Sequence, residues 1–122
     1  MISLKNISKY YGDTHALENL SLEVAEGEIC VLLGKSGCGK STTLRLINKI
    51  IPATTGEIVI GGKPIDSYPV EKLRSGIGYV VQSIGLFPHM NVEKNISIVP
   101  NLLKWDKRKI KARIQELLDL VG

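Results

Sequence analysis

Eight consecutive residues, Gly34-Lys35-Ser36-Gly37-Cys38-Gly39-Lys40-Ser41, carry the clearest chemistry in this chain. They fit G-x-x-x-x-G-K-[ST], the phosphate-binding P-loop. Glycines permit positive φ and leave no Cβ between the main chain and an oxyanion. Successive N–H groups can then turn inward toward phosphate oxygens. Lys40 is placed to reach β- and γ-phosphates as a point charge, and the Ser41 hydroxyl to ligate Mg²⁺.

Such a loop works only if it follows a strand and opens a helix. Upstream, the turn signal Glu26-Gly27 precedes Glu28-Ile29-Cys30-Val31-Leu32-Leu33, a short apolar run that reads as a strand buried on both faces. Downstream, Ser41 to Ile50 reads as a helix with Leu44, Ile47 and Ile51 at helical spacing and Pro52 beyond its end. Its N-terminus would add partial positive charge at the phosphates.

Two further residues could serve a nucleotide. Tyr11, just before Gly12, could stack on an adenine ring, although a tyrosine in a strand connection is commonly packing. Gln82 follows a second apolar run, Ile77-Gly78-Tyr79-Val80-Val81, which reads as another buried strand. At such a strand end a glutamine can reach a ligand crevice, bind Mg²⁺ through its carbonyl oxygen or position water. By itself it reads as an ordinary loop residue.

The 122 residues suffice for one domain, and 43% hydrophobic with 23% charged content is ordinary for a soluble globular chain. No apolar run approaches a membrane span, and the N-terminus lacks a signal-peptide pattern, so the chain is expected in the cytoplasm. Cys30 and Cys38 are the only cysteines and need no disulfide, and without clustered histidines they make a poor zinc site. Lys104, Lys107, Arg108, Lys109, Lys111 and Arg113 supply six of the 16 basic residues, with only Asp106 acidic among them. The net charge of +4 is therefore one local stretch, read as a solvated helix face rather than a nucleic-acid site.

The remaining elements must position the loop. Ile2 to Ile7 and Leu20 to Val24 alternate apolar and polar, as half-buried strands do. Glu57 to Ile60, the Gly61-Gly62 turn and Lys63 to Ile65 read as a hairpin. A short helix is expected over Val70 to Arg74, and another over Asn91 to Ser97 with Pro100 ending it. In the last segment Asp106 is the expected N-cap, Ile110, Ile114, Leu117, Leu118 and Val121 form one apolar stripe, and Gly122 suits a helix C-terminus.

Together these residues resemble a family. Lys9-Tyr10-Tyr11-Gly12, Ala16-Leu17, Glu26-Gly27-Glu28, the run GKSGCGKSTTLRLIN, Thr55-Gly56-Glu57-Ile58 and Gly78 to Gln82 look like the nucleotide-binding subunit of an ABC transporter, in that order and spacing. The resemblance covers nearly the whole chain. It implies an α/β, P-loop NTPase-like fold: a partial ABC ATPase core with an antiparallel β subdomain. It implies ATP and Mg²⁺ as cofactors and makes Tyr11 the A-loop aromatic, with Tyr10 as fallback. Gly34, Lys35, Ser36, Gly37, Cys38, Gly39, Lys40 and Ser41 become the Walker A motif. Thr42 adds an α-phosphate contact, and Gln82 becomes the Q-loop glutamine, acting with Lys40 in catalysis and with Ser41 on Mg²⁺. His89 falls in the surface loop beyond and is not taken as a base.

The stretch from Gln82 to Ile96, with Ile98-Val99-Pro100 and Leu103 to Asp106, is similar to importers for osmoprotectants such as glycine betaine, carnitine or choline. The implied partners are a transmembrane permease subunit and a second ATP-binding subunit, with the protein peripheral on the inner face of the membrane.

The family also uses an LSGGQ-type signature, a Walker B strand ending in Asp-Glu and a switch histidine, and none is found in these 122 residues. Leu117-Leu118-Asp119 imitates Walker B but belongs to the helical stripe. The expectation is the N-terminal portion of a nucleotide-binding domain, truncated before the signature motif. Residues to about 100 would form the β subdomain and P-loop core, and about 101–122 would open the helical subdomain. Such a chain would bind nucleotide weakly and hydrolyse it negligibly. Its P-loop strand would lack neighbours, so unpaired edges, exposed apolar surface and self-association are expected.

Two rival classes remain. A GTPase would carry N-K-x-D, but Asn48-Lys49-Ile50-Ile51 lacks the aspartate. A small P-loop kinase would need an arginine-bearing lid, for which Arg108 and Arg113 are loose candidates. A non-enzymatic interaction module is the third class.

Overall fold

In the computed structural model, which describes residues 1–83 and 85–122, the chain opens with a long hairpin. Strands β1 (Ile2–Tyr11) and β2 (Thr14–Val24) pair antiparallel, Tyr11 facing Thr14 across the Gly12-Asp13 turn. Strand β3 (Thr55–Ile60) pairs with the other edge of β1, and the two-residue β4 (Lys63–Pro64) returns across Gly61-Gly62. The sheet order is β2-β1-β3-β4, antiparallel throughout.

Alternation in β1 directs Leu4 into the core, and a bulge at Asn6 keeps Ile7 there as well. Asn6 adopts φ 49°, and its N–H, diverted from the ladder, donates to Ser21 Oγ at 2.9 Å. Asn19 opposite adopts φ 50° and donates its N–H to buried Ser8 Oγ at 3.0 Å. The diverted donors thus remain bonded.

Helix α1 (Lys40–Ile47) packs on this sheet through Leu46, alongside Ile58, Ile65 and Leu73. Thr43 and Leu46 are buried, and Ile47 and Ile51 pack partly against the same core as expected, whereas Leu44 is exposed and drops out of that face. Thr43 can occupy the core because its hydroxyl donates to the Gly39 carbonyl at 3.0 Å. Arg74, in the short helix α2 (Val70–Ser75), closes the far end of α1: its guanidinium donates to the carbonyls of Asn48 at 3.1 Å and Lys49 at 2.9 Å. The Asn48 carbonyl, at the C-cap, is one that the helix terminus leaves without an intrahelical partner, and Lys49 follows just beyond it.

Two apolar runs depart from expectation. Glu28 to Leu33 and Ile77 to Val81 are not strands, and Ile29, Cys30, Val31, Leu33 and Val80 are exposed rather than buried. A strand exists only where a neighbour completes its ladder, and no described segment pairs with either run.

The chain divides into two compact units, Met1–Gly78 and Tyr79–Gly122. In the second, α3 (Val92–Leu102) packs against α4 (Lys107–Val121). Asn91 caps α3 by accepting from Lys94 N–H at 2.9 Å. Pro100 lies inside α3 rather than ending it. Its missing N–H costs only the bond to the Ile96 carbonyl, and Leu103 N–H still reaches the Val99 carbonyl at 2.9 Å. Asp106 caps α4 as expected, accepting from Arg108 and Lys109 N–H. Ile110 and Ile114 are buried and Leu117 and Leu118 half-buried, but Val121 is exposed, so the stripe loses its cover only at its C-terminal end. Leu117 to Asp119 lie within α4, so this stretch is helix and not a Walker B strand. No described helix is long and apolar enough to cross a membrane.

Candidate functional site

The loop before α1 is shaped by its glycines. Gly37 adopts φ 81° and Gly39 φ 95°. Gly39 is the N-cap of α1 in the left-handed conformation, and the Thr43 N–H reaches its carbonyl at 2.8 Å. The N–H groups of Lys40, Ser41 and Thr42 at the helix start therefore have no intrahelical acceptor. They are donors held at the positive end of the helix, an arrangement that suits an anion.

Gly39 is also pressed against the hairpin. A Cβ there would fall 2.5 Å from Leu17 Cδ2 and 2.8 Å from the Ala16 carbonyl oxygen. Leu17 pairs with Lys9 in β1, so the hairpin that carries Tyr11 is the same element that backs the loop. Gly34 is closed from the other side, since a Cβ there would lie 2.5 Å from Cys38 Sγ.

Lys40 folds back over the loop that precedes it. Its ammonium donates to the carbonyls of Gly34 and Lys35, both at 2.7 Å, and approaches Cys38 Sγ at 3.3 Å. Two strong acceptors pin the side chain across the loop, and the thiol is a weak third partner. A phosphate oxygen is a far better acceptor than a thiol, so the third donor is the one an arriving anion would take. Ser41 is exposed at the same helix end, and Lys35, Ser36, Gly37 and Cys38 are exposed around it. This cradle of glycine backbone, helix-end N–H donors, ammonium and hydroxyl fits a phosphate chain with its cation.

The two tyrosines separate in the structure. The Tyr10 ring is half-buried and lies 4.4 Å from the His15 ring, tilted by 40°. Tyr11 is 49% exposed, with the Lys9 ammonium 4.9 Å from its ring centroid. Of the pair, Tyr11 has the accessible aromatic face.

Gln82 belongs to the second unit, where it is exposed in an irregular segment after Val81. Ile84, within the stretch that resembles osmoprotectant importers, lies outside the described residues. Asn95 organises the following loop. Its amide donates to the carbonyls of Phe87, Met90 and Asn91 and accepts from the Phe87 N–H at 2.8 Å. Arg108 and Arg113 lie on α4, and Arg113 is paired with Glu116 at 2.6 Å. Cys30 and Cys38 are free thiols. Among the described residues no cluster of histidine, cysteine or acidic side chains could by itself hold a metal ion.

Sequence reasoning found the loop but missed its supports, Leu17 behind Gly39 and the Thr43 hydroxyl on the Gly39 carbonyl. Neither residue type announces such a role. The signal available was indirect, a glycine immediately before a helix.

Comparison with known proteins agrees with this geometry. The chain is 48% identical to the osmoprotectant import ATP-binding protein OsmV of Salmonella typhimurium, over all of its own length and 33% of that protein's. It is 51% identical to the choline transport ATP-binding protein OpuBA of Bacillus subtilis, over 99% of its length and 32% of the relative's. The chain thus spans about a third of the length of these curated relatives. Among solved structures, a dimeric ATP-binding cassette in a post-hydrolysis state bound to ADP and Pi superposes with a TM-score of 0.81 at 30% identity, covering 98% of this chain and 56% of that one. A second dimeric structure of that same bacterial ABC transporter cassette gives 0.82 at 31% identity with the same coverage. Residues 17–122 match the family described as ABC transporter, and the chain belongs to that family.

Proposed function

We propose that this chain is the ATP-holding portion of an importer ATPase for osmoprotectants of the quaternary amine class. The observation that carries the reading is the Lys40 ammonium, held 2.7 Å from two loop carbonyls at the open N-terminus of α1. Gly34 to Ser41 would wrap the phosphates, Thr42 would add an α-phosphate contact, and Tyr11 would stack on adenine. Ser41 would ligate Mg²⁺, whose charge would help neutralise the β- and γ-phosphates when bound. Residues from about 101 would open the helical subdomain in this reading. The solute class is supported by the relatives, one named for osmoprotectant import and one for choline transport.

A transmembrane permease subunit, a second ATP-binding subunit and a place on the cytoplasmic face of the membrane follow from the same reading. The dimeric state of the solved cassette, seen in both of its structures, supports the second subunit. Within these 122 residues there is no Asp-Glu pair ending a strand to polarise water, so turnover by this chain is negligible while binding persists. Titration with a fluorescent ATP analogue and Mg²⁺ tests it. Saturable binding displaced by ATP, without phosphate release, is expected. A steady ATPase rate abolished by Lys40→Ala would reject the hydrolysis part, and absence of saturable binding would reject the whole.

A further inference from the structure

Tyr11 ends β1, and the backbone before it is firmly held. The Tyr10 N–H donates to Thr54 Oγ1 at 3.0 Å, and the Thr54 N–H donates to the Ser8 carbonyl at 2.9 Å, so Ser8 to Tyr10 are tied to the segment that leads into β3. The Tyr10 ring is taken by His15, 4.4 Å away. Side chains alternate across a strand, so Lys9 and Tyr11 share the face opposite Tyr10. On that face the Lys9 ammonium sits over the Tyr11 ring, 4.9 Å from its centroid. Lys9 is half-buried and pairs across the ladder with Leu17, whose side chain backs Gly39 of the phosphate loop. Directly paired residues point to one face of a sheet. The lysine, the exposed tyrosine and the contact with the loop therefore lie on the same side of the hairpin.

We propose that Lys9 is a positioning residue for the adenine base: its ammonium covers one face of the Tyr11 ring, fixes the ring's rotamer and leaves the other face for stacking. This rests on the reading that Tyr11 stacks on adenine. The ring quadrupole attracts a cation placed over its face. A half-exposed tyrosine otherwise moves among staggered rotamers, and a base that stacks on it must stop that motion. With Lys9 over the ring, much of the ordering is complete before the nucleotide arrives. The effect passes through the ring, so it concerns the base and not the phosphates.

Calorimetric titration of MgATP, and separately of tripolyphosphate, into the 122-residue chain and four variants tests this. Lys9→Met keeps an unbranched stem and loses the charge. It should bind ATP about threefold more weakly than wild type and tripolyphosphate equally well. Lys9→Arg should keep the wild-type ATP affinity, because a guanidinium also stacks on an aromatic face. In the Tyr11→Ala background, adding Lys9→Met should change nothing further, since the two residues act as one unit. Unchanged tripolyphosphate binding also shows that the loop of each variant is folded. The proposal is overturned if Lys9→Met weakens tripolyphosphate by the same factor as ATP, if Lys9→Arg is as weak as Lys9→Met, or if Lys9→Met costs as much without the tyrosine as with it. ATP affinity that falls with Tyr11→Ala but not with Lys9→Met overturns the positioning role alone. ATP affinity indifferent to Tyr11→Ala overturns the stacking reading, and the positioning role with it.

Discussion

A Cβ placed on Gly39 would lie 2.5 Å from Leu17 Cδ2, so the phosphate loop and the β1–β2 hairpin meet at a contact that only glycine permits. The Leu17 side chain could swing away, but the Ala16 carbonyl at 2.8 Å is backbone and cannot. Gly39 also sits at φ 95°, where an L side chain is strained. Gly39→Ala should therefore lower stability by about 1–3 kcal/mol and disturb the helix start that presents the N–H donors. Denaturant unfolding reads the first effect and nucleotide titration the second. A variant equal to wild type in both would show that the loop does not depend on this contact.

Tyr11→Ala should weaken adenine-nucleotide binding about fivefold, corresponding to roughly 1 kcal/mol of stacking. Tripolyphosphate, which has no base, should bind both proteins equally. Tyr10→Ala should instead lower stability, because its half-buried ring packs on His15. Comparing the three titrations separates recognition of the base from a general loss of fold.

Arg74→Ala should destabilise the first unit by about 1–2 kcal/mol, since it withdraws charged donors from the carbonyls of Asn48 and Lys49. The residue lies at the far end of α1 from the loop, so ATP affinity measured well below the melting temperature should hold. Arg74→Lys should recover only part of the loss, because one ammonium cannot reproduce the guanidinium fork.

Asp106→Ala removes the cap of α4, where Oδ1 accepts from Arg108 N–H at 2.9 Å. A cost of about 1 kcal/mol is expected, and Asp106→Asn should retain most of the stability. Amide hydrogen exchange in the first turn of α4 is the direct readout, with faster exchange expected in the alanine variant alone.

Much of this architecture was legible because it is local. Alternation of Ile2 and Leu4 with polar neighbours, the Gly61-Gly62 turn and the Asp106 cap are written in adjacent residues, whereas the bulge that returns Ile7 to the core is not. The phosphate loop was legible for the same reason, since Gly34 to Ser41 contains both the backbone freedom and the charges it needs. What failed was non-local. Ile29 to Leu33 and Ile77 to Val81 have the composition of buried strands, but a ladder depends on a neighbour that no property of the run itself guarantees. In α1 the apolar spacing pointed to Leu44, yet Thr43 is buried because its hydroxyl finds the Gly39 carbonyl. The contact of the Tyr10 ring with His15, which leaves Tyr11 the more exposed of the two, is likewise not written in adjacent residues.

The central claim is that Lys40, pinned across its own loop, makes Gly34 to Ser41 a phosphate-holding site. Calorimetric titration of MgATP into the 122-residue chain and its Lys40→Ala variant tests it most directly. One saturable site should appear in the wild type and weaken by about ten- to a hundredfold in the variant, the loss of one charge-assisted contact. Circular dichroism should be unchanged, because the Lys40 bonds lie at the exposed loop. Equal affinity in both proteins, or no saturable binding to the wild type at millimolar MgATP, would contradict the account.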